Sequence, residues 1–526
     1  MKSWKITTLF SLVAVMMGSA CTKRFDEINK NPYDFDEDEL KADYRLMGEP
    51  LSQAQLNLLI YNDPPTAQLQ QNLNADVFSG YMMAPTPFEG NINNTNYGLL
   101  YYWNNRPWEV TYNNVMKTCD FAQMKSKDTF TDFYAWAQII KVEAMHRLSD
   151  IYGPIIYTKY GIMNDEMGID YDSQQQAYYA FFKDLEQGID TLTAYINRKA
   201  PQRIQAFDLV YKGDYTQWVK FANTLRLRLA IRISGVDPKK AKAEGEAALG
   251  HPLGLLQSSP DDNFAVNIAP VTHPLNIMCY TWADLRMSAP MESILTGYKD
   301  PRLSHYFVPT DDNMHVYHGI RNGIKISAKE EYSGFSSLVR FDNKILFMTT
   351  AEAWFLKAEA ALYGWKGAGT PAANYAAGVT ASFKQYNISN INNYLDNAVD
   401  KPNPYIDPQN ADNNIPAGDK HLSTITIKWN EGDSPERKLE RIITQKWIAM
   451  FPEGQEAWSE FRRTGYPRLF PVVINNSNGT IPTEKFIRRL PIPQRETSTN
   501  PQAVARAIAT LKGPDTGGTP LWWDLR

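Results

Sequence analysis

With 54 Lys and Arg against 58 Asp and Glu in 526 residues, the chain has a formal charge of −4 and lacks the basic footprint of a nucleic-acid binder. Its length exceeds one ordinary hydrophobic core, which predicts two lobes or one large helical array. Three cysteines are too few for a disulfide scaffold.

The chain opens MKSWKITTLFSLVAVMMGSAC. Lys2 and Lys5 give a positive start, and residues 6–17 form an apolar run of signal-peptide length. That run is too short to cross a bilayer core, which takes about 20 apolar residues. Gly18, Ser19 and Ala20 then precede Cys21. Ser19 and Ala20 fit a lipobox, whereas Gly18 stands where a branched apolar residue is usual. Residues 1–20 are therefore predicted to be a cleaved signal peptide and Cys21 the lipid-bearing first residue of the mature chain. The competing reading is a plain cleaved signal with an incidental cysteine. Cys119 and Cys279 remain, as two buried free thiols or one bridge.

The acidic run DFDEDEL (34–40) is predicted to start a solvated helix. Residues 79–106, SGYMMAPTPFEGNINNTNYGLLYYWNNR, crowd Asn, Pro, Gly and aromatics into a long loop. Trp108 begins the helix WEVTYNNVMK and is expected to pack inward. In 133–149, Trp136, Ile139, Ile140, Ala144 and Leu148 recur at helical spacing, and Gly153 and Pro154 end that helix. Further helical stripes run through 177–195 and from Trp218 to Ile233, where Arg228 and Arg232 share another face. Loops and short strands are predicted over 251–345. Helices over 352–363 and 374–386 form a hairpin around the turn GWKGAGTPA, of roughly the 34-residue length of a tetratricopeptide repeat. A long surface loop follows over 387–419, then an amphipathic helix over 438–451. Loops longer than about 15 residues in a compact protein are usually functional or disordered, and aromatic-bearing ones favour binding.

These elements predict a mainly α fold in which tetratricopeptide-like helix pairs stack into an α-helical array, with a loop-rich ligand-binding lobe and few short strands. One domain is expected over 21–526. Its helical core covers about 40–245 and 345–470, and its loop-rich lobe about 250–345 and 387–430.

Catalytic signatures are sparse: HExxH, GxSxG, GxxxxGK[ST] and CxxC do not occur. Gly367, Gly369 and Ala372 spell G-x-G-x-x-A, but a helix precedes them where a dinucleotide fold needs a strand. His305, His315 and His318 lie near Asp311 and Asp312, yet a zinc site needs three or four converging ligands. No metal or cofactor is therefore expected, although a structural calcium in the 387–419 loop stays open. Glycoside hydrolysis also stays open, because it needs only two suitably spaced carboxylates.

Several segments, in order, resemble the SusD/RagB outer-membrane lipoproteins of Bacteroidetes-type bacteria. They are CTKRFDEINKNP, LSDIYGPIIYT, YDSQQQAYYAFFKDLEQGID, YKGDYTQWVKFANTLRLRLAIRI, DPRLSHYFVP, TTAEAWFLKAEAALYGW, IITQKWIAMFPEGQEAWSEFRRTGYPRL, FIRRLPIPQRE and LWWDLR. The resemblance implies a non-enzymatic lid on a SusC-like TonB-dependent transporter, anchored in the outer membrane through acylated Cys21 and capturing glycan. In the RagB branch the ligand is peptide, and a glycan-cleaving enzyme is the third alternative. Lys23 and Arg24 precede Asp26 and Glu27, where surface-exported relatives usually place acidic residues first, so the leaflet stays open. Trp447, Trp458, Arg462 and Arg463 are expected to be structural, and Trp522 and Trp523 to pin the C-terminus.

A sugar presents an apolar C–H face and polar edges, which suits aromatic platforms flanked by amides. From the 79–106 loop the candidates are Tyr81, Tyr97 and Trp103 as platforms, with Asn93, Asn94 and Asn104 as hydrogen bonders. The resemblance adds a middle-lobe contribution, for which Trp282 and Tyr332 are the candidates. Core or loop packing is the competing role for each aromatic.

Overall fold

The structure, a computed structural model, describes residues 37–310 and 316–526; Cys21 and the leader, with Asp311, Asp312 and His315, lie outside the described residues. The fold is mainly helical. The principal helices are α1 (Arg45–Leu56), α2 (Lys117–Ser126), α3 (Thr131–Tyr152), α4 (Gln174–Asn197), α5 (Tyr215–Arg232) and α6 (Pro238–Gly250), followed by α7 (Ala289–Gly297), α8 (Thr350–Leu362), α9 (Pro371–Gln385), α10 (Pro435–Met450) and α11 (Gly454–Thr464). Consecutive helices α1 to α6 pack pairwise, α5 passes the array on to α8, and α8 is flanked by α9 and α10.

Local chemistry sets the boundaries. At the start of α4, Ser173 accepts from the Gln176 amide while the Gln176 side chain accepts from the Ser173 amide, a reciprocal cap. Asp214, Asp237, Thr349 and Thr370 cap α5, α6, α8 and α9 in the same sense. The expected hairpin of α8 and α9 is present. Its Gly367 and Gly369 take φ of 85° and 78°, which makes the GxGxxA run an interhelical turn. Within α9, Gly378 lets the helix approach α8 closely, because a Cβ there would meet the Phe355 ring at 2.8 Å.

Two short antiparallel ladders complete the fold. β2 (Phe264–Asn267) pairs with β4 (Lys344–Met348), and β1 (Met82–Met83) pairs with β3 (Arg286–Met287). The first ladder clasps both ends of the loop-rich lobe. Phe264 in β2 stacks on Phe221 of α5 at 3.9 Å, which fixes the clasp to the helical array. The second ladder joins the 79–106 loop to the lobe.

A buried ionic network ties the array together. Arg228 and Arg232 of α5 meet Glu143 of α3, Glu352 of α8 and Glu456 and Glu460 of α11, and Lys446 of α10 pairs with Glu352 and Glu460 in turn. Burial alone would raise Glu460, but Arg463, Lys446 and Arg232 override it and hold its carboxyl well below the usual range. Arg463 pairs with Glu359 and Glu460, and Trp523 donates to Asp150, so the structural roles expected for both hold. Cys119 and Cys279 are free and buried, and burial pushes the Cys119 thiol up to about 12.

A π-helical stretch (Gln68–Asp76) sets Asp76 against the start of α11, fully out of solvent. Burial raises its carboxyl to about 7; hydrogen bonds from Gln71 and Asn72 oppose the rise and Glu453 adds to it. The folded chain thus holds a proton that the unfolded chain releases near 3.8. The stability this contributes is fully present below 3.8 and falls as pH rises through about 7. Asp76→Asn is expected to cancel that dependence. Measured by urea midpoints, wild type should lose stability relative to the variant between about pH 4 and pH 7; a difference that ignores pH would refute it.

Candidate ligand-binding site

The 79–106 loop is built on its own amides. Asn93 caps the turn at Asn94–Asn96, accepting from the Thr95 amide at 2.9 Å. Asn94 accepts from the Leu100 amide at 3.1 Å and donates to the Asn104 side chain at 2.8 Å and to Asn74. Asn104 in turn offers its carbonyl to the Tyr152 hydroxyl. All three asparagines are buried, so they hold the loop's shape rather than face solvent.

Most of the expected platforms are internal as well. Tyr81 is wholly buried, donates to the Trp447 carbonyl and packs on the Trp447 and Phe451 rings. Tyr97 lies in the main core. Trp103 is 5% exposed and packs edge-on against Phe88, with Leu73 and Ala84 around it. Tyr332 is 2% exposed and donates to Asp407 at 2.9 Å. Rings so enclosed present no free face to a sugar, which corrects the platform roles expected for Tyr81, Tyr97, Trp103 and Tyr332. Trp282 alone among the candidate aromatics is half-buried at the surface.

The accessible aromatics are the neighbours of Trp103. In the one-turn helix Tyr101–Asn104, Trp103 and Asn104 turn inward and leave Tyr101 64% and Tyr102 40% exposed. Their rings meet edge to face at 5.7 Å, and the Tyr102 hydroxyl donates to Glu89 at 2.7 Å. The same loop is also bonded to the middle lobe. Thr86 donates to Asp284, Lys329 reaches Asp284 at 2.8 Å and the Trp282 carbonyl, and Asn91 donates to the Ile324 carbonyl at 3.2 Å. Between the two segments lies an open depression of about 380 Å³ lined by Pro87, Asn91, Lys325, Ser327, Ile474 and Asn476, among others. The early loop and the middle lobe therefore meet, through residues other than most of those first singled out. No sequence signal separates Tyr101 and Tyr102 from Trp103, because a single helical turn has no periodicity to read.

Chemically this surface offers stacking faces, amides, a hydroxyl and an ion pair. The carboxyls that burial pushes upward, Asp76, Asp208, Glu292 and Glu453, belong to the packed interior instead. Among the described residues no cluster of His, Cys, Asp and Glu is arranged to hold a metal ion. No described helix is long and apolar enough to cross a membrane.

A family model described as SusD-like, Susd and RagB outer membrane lipoprotein, matches residues 27–524. A chitin-binding SusD homolog from Flavobacterium johnsoniae is 43% identical, with a TM-score of 0.87 over 91% of this chain and 99% of its own. SusD homologs from Bacteroides uniformis (37% identity, TM-score 0.85, 91% and 99% covered) and Bacteroides vulgatus (35%, 0.86, 92% and 99%) are similarly close. No curated protein matches the chain.

Proposed function

The chain belongs to the SusD-like family of outer-membrane lipoproteins, and on that premise we propose that it captures β-linked N-acetylglucosamine oligosaccharides for a SusC-like TonB-dependent transporter. SusD-like proteins are by family binding proteins rather than enzymes, and the chitin-binding relative supports glycan as the ligand class. Acylated Cys21 anchors the protein in the outer membrane, facing outward; stable anchoring takes more than one acyl chain.

The exposed Tyr101–Tyr102 pair carries the reading. Both rings stay outside the core, and Tyr102 is bonded to Glu89, whose neighbour Gly90 lines the depression. Stacking on the sugar's C–H faces and bonds to its hydroxyl and acetamido edges follow from that arrangement. Asp284 and Lys329 neutralise each other, which suits an uncharged ligand.

Calorimetric titration with chitohexaose tests the site. The Tyr101→Ala/Tyr102→Ala variant is expected to bind at least about tenfold more weakly, the scale of aromatic hot spots at about 1.4 kcal/mol or more. Both side chains are exposed, so the thermal midpoint should hold. Unchanged affinity would remove these rings from the site, and affinity for oligopeptides alone would replace glycan with peptide as the ligand.

A further inference from the structure

A second cavity, of about 480 Å³, shares no lining residue with the first. It opens between the segment that carries Trp108 and Tyr112, the loop after α3, and residues 493–500. Tyr112 and Tyr160 lie within 12° of parallel, with centroids 6.2 Å apart, and Trp108 leans on Tyr112 at 4.7 Å.

These rings are fixed in place. The Tyr112 hydroxyl donates to the Ile156 carbonyl at 2.9 Å and accepts from the Ile156 amide at 2.7 Å. Behind Trp108, Tyr171 stacks at 5.9 Å and donates to Glu496 at 2.7 Å. Tyr112 and Tyr160 are nevertheless half-exposed, so their faces border the cavity. Glu109, Asn113, Arg495 and Glu496 supply a polar rim. None of this belongs to the site formed by Tyr101, Tyr102 and the middle lobe.

We propose that this cavity is a second carbohydrate subsite, taking a pyranose ring on the Tyr112–Tyr160 floor with its hydroxyls directed to the carboxylate and amide rim. A purely apolar ligand would desolvate Glu109, Glu496 and Arg495 without offering them hydrogen bonds, which is costly. A peptide could not bind here by strand addition, since no described strand borders the cavity. A sugar, apolar on its faces and polar at its edges, satisfies both surfaces. Anchored rings also spare the ligand the cost of ordering them. The choice of sugar rests on the glycan reading given above.

The test is calorimetric titration of the full chain with chitohexaose, cellohexaose and mannohexaose in wild type, Tyr101→Ala/Tyr102→Ala, Tyr160→Ala and the triple variant. The double variant is expected to keep one saturable event, and adding Tyr160→Ala should abolish it. Tyr160 is half-exposed, and an unchanged thermal midpoint will show that the loss is one of binding. If the double variant binds nothing while wild type binds, the second subsite is refuted and the first site stands. A residual event indifferent to Tyr160→Ala also refutes it. Should Tyr160→Ala alone abolish binding, the second subsite stands and the first site falls. Silence of wild type toward all three sugars would overturn both.

Discussion

Arg228→Met is expected to destabilise the chain by about 3–5 kcal/mol, the usual result of stripping one partner from a buried ion pair. Arg228 has no exposed surface. Its Nε and Nη2 donate to the Glu352 carboxylate at 2.8 and 2.7 Å, and Nη2 also donates to the Phe347 carbonyl at 3.0 Å. Glu143 and Glu456 stand 3.8 and 3.7 Å away. Methionine fills much of the same volume but leaves Glu352 beside two other carboxylates, with Lys446 at 3.5 Å as its nearest remaining cation in the network. The urea midpoint should fall without a change in slope. Arg228→Met/Glu352→Leu should recover part of the loss, because replacing a whole buried pair is far gentler than orphaning one half. A single-variant loss under about 1 kcal/mol, the value of an exposed pair, would mean that the network does not hold the helices together.

Arg286→Met is expected to reach both the stability and the binding surface. Arg286, 7% exposed in β3, donates to the Ser333 carbonyl at 2.9 and 2.7 Å and to the Leu285 carbonyl at 2.7 Å. Leaving buried carbonyls without donors costs about 1–3 kcal/mol each, so a total of about 2–5 kcal/mol is expected. The side chain lines neither depression, yet it braces the segment that carries Trp282 and Asp284 against the turn that follows Lys329. Chitohexaose affinity, measured well below the unfolding midpoint, should drop about tenfold, equal to about 1.4 kcal/mol. Arg286→Lys should rescue the stability more than the affinity, since an ammonium cannot reproduce the guanidinium fork. Affinity that stays at the wild-type level while stability falls would confine Arg286 to a structural role.

The helices were legible because their signals are local. Trp136, Ile140, Ala144 and Leu148 recur at helical spacing, whereas the stripe over 177–195 misses the first turn of α4, which Ser173 and Gln176 cap. The predicted helix over 133–149 fell short of Tyr152 because Gly153 and Pro154 were taken to stop it earlier, whereas the left-handed Gly153 follows the last turn directly. Arg228 and Arg232 were visible as a pair on one face, but their partners come from three other helices, and no sequence window contains them.

The site was legible as two regions and not as residues. Composition marked 79–106, the resemblance added the middle lobe, and the β1–β3 ladder joins the two. Trp103 was a natural platform by size, yet Phe88 and Leu73 enclose it while the smaller Tyr101 and Tyr102 remain outside. Which of three adjacent aromatics faces inward is decided by residues far away in the chain. Asp76 shows the same limit. Its polar neighbours Gln71, Asn72 and Asn74 give no hint of the apolar burial that raises its carboxyl.

The clasp of β2 and β4 has a bearing on how this architecture diversifies. The lobe leaves the helical array at Asn267 and returns at Lys344, and those two residues face each other across the ladder. Whatever lies between them begins and ends at one fixed doorway. Lengthening a closed loop costs only about 0.6 kcal/mol per doubling, so the exposed turns of that stretch can grow cheaply, whereas its buried residues, Tyr306 and Phe307 among them, stay tied to the core. Changes in the length of those turns therefore leave the doorway where it is, because the helices that hold it keep their registration.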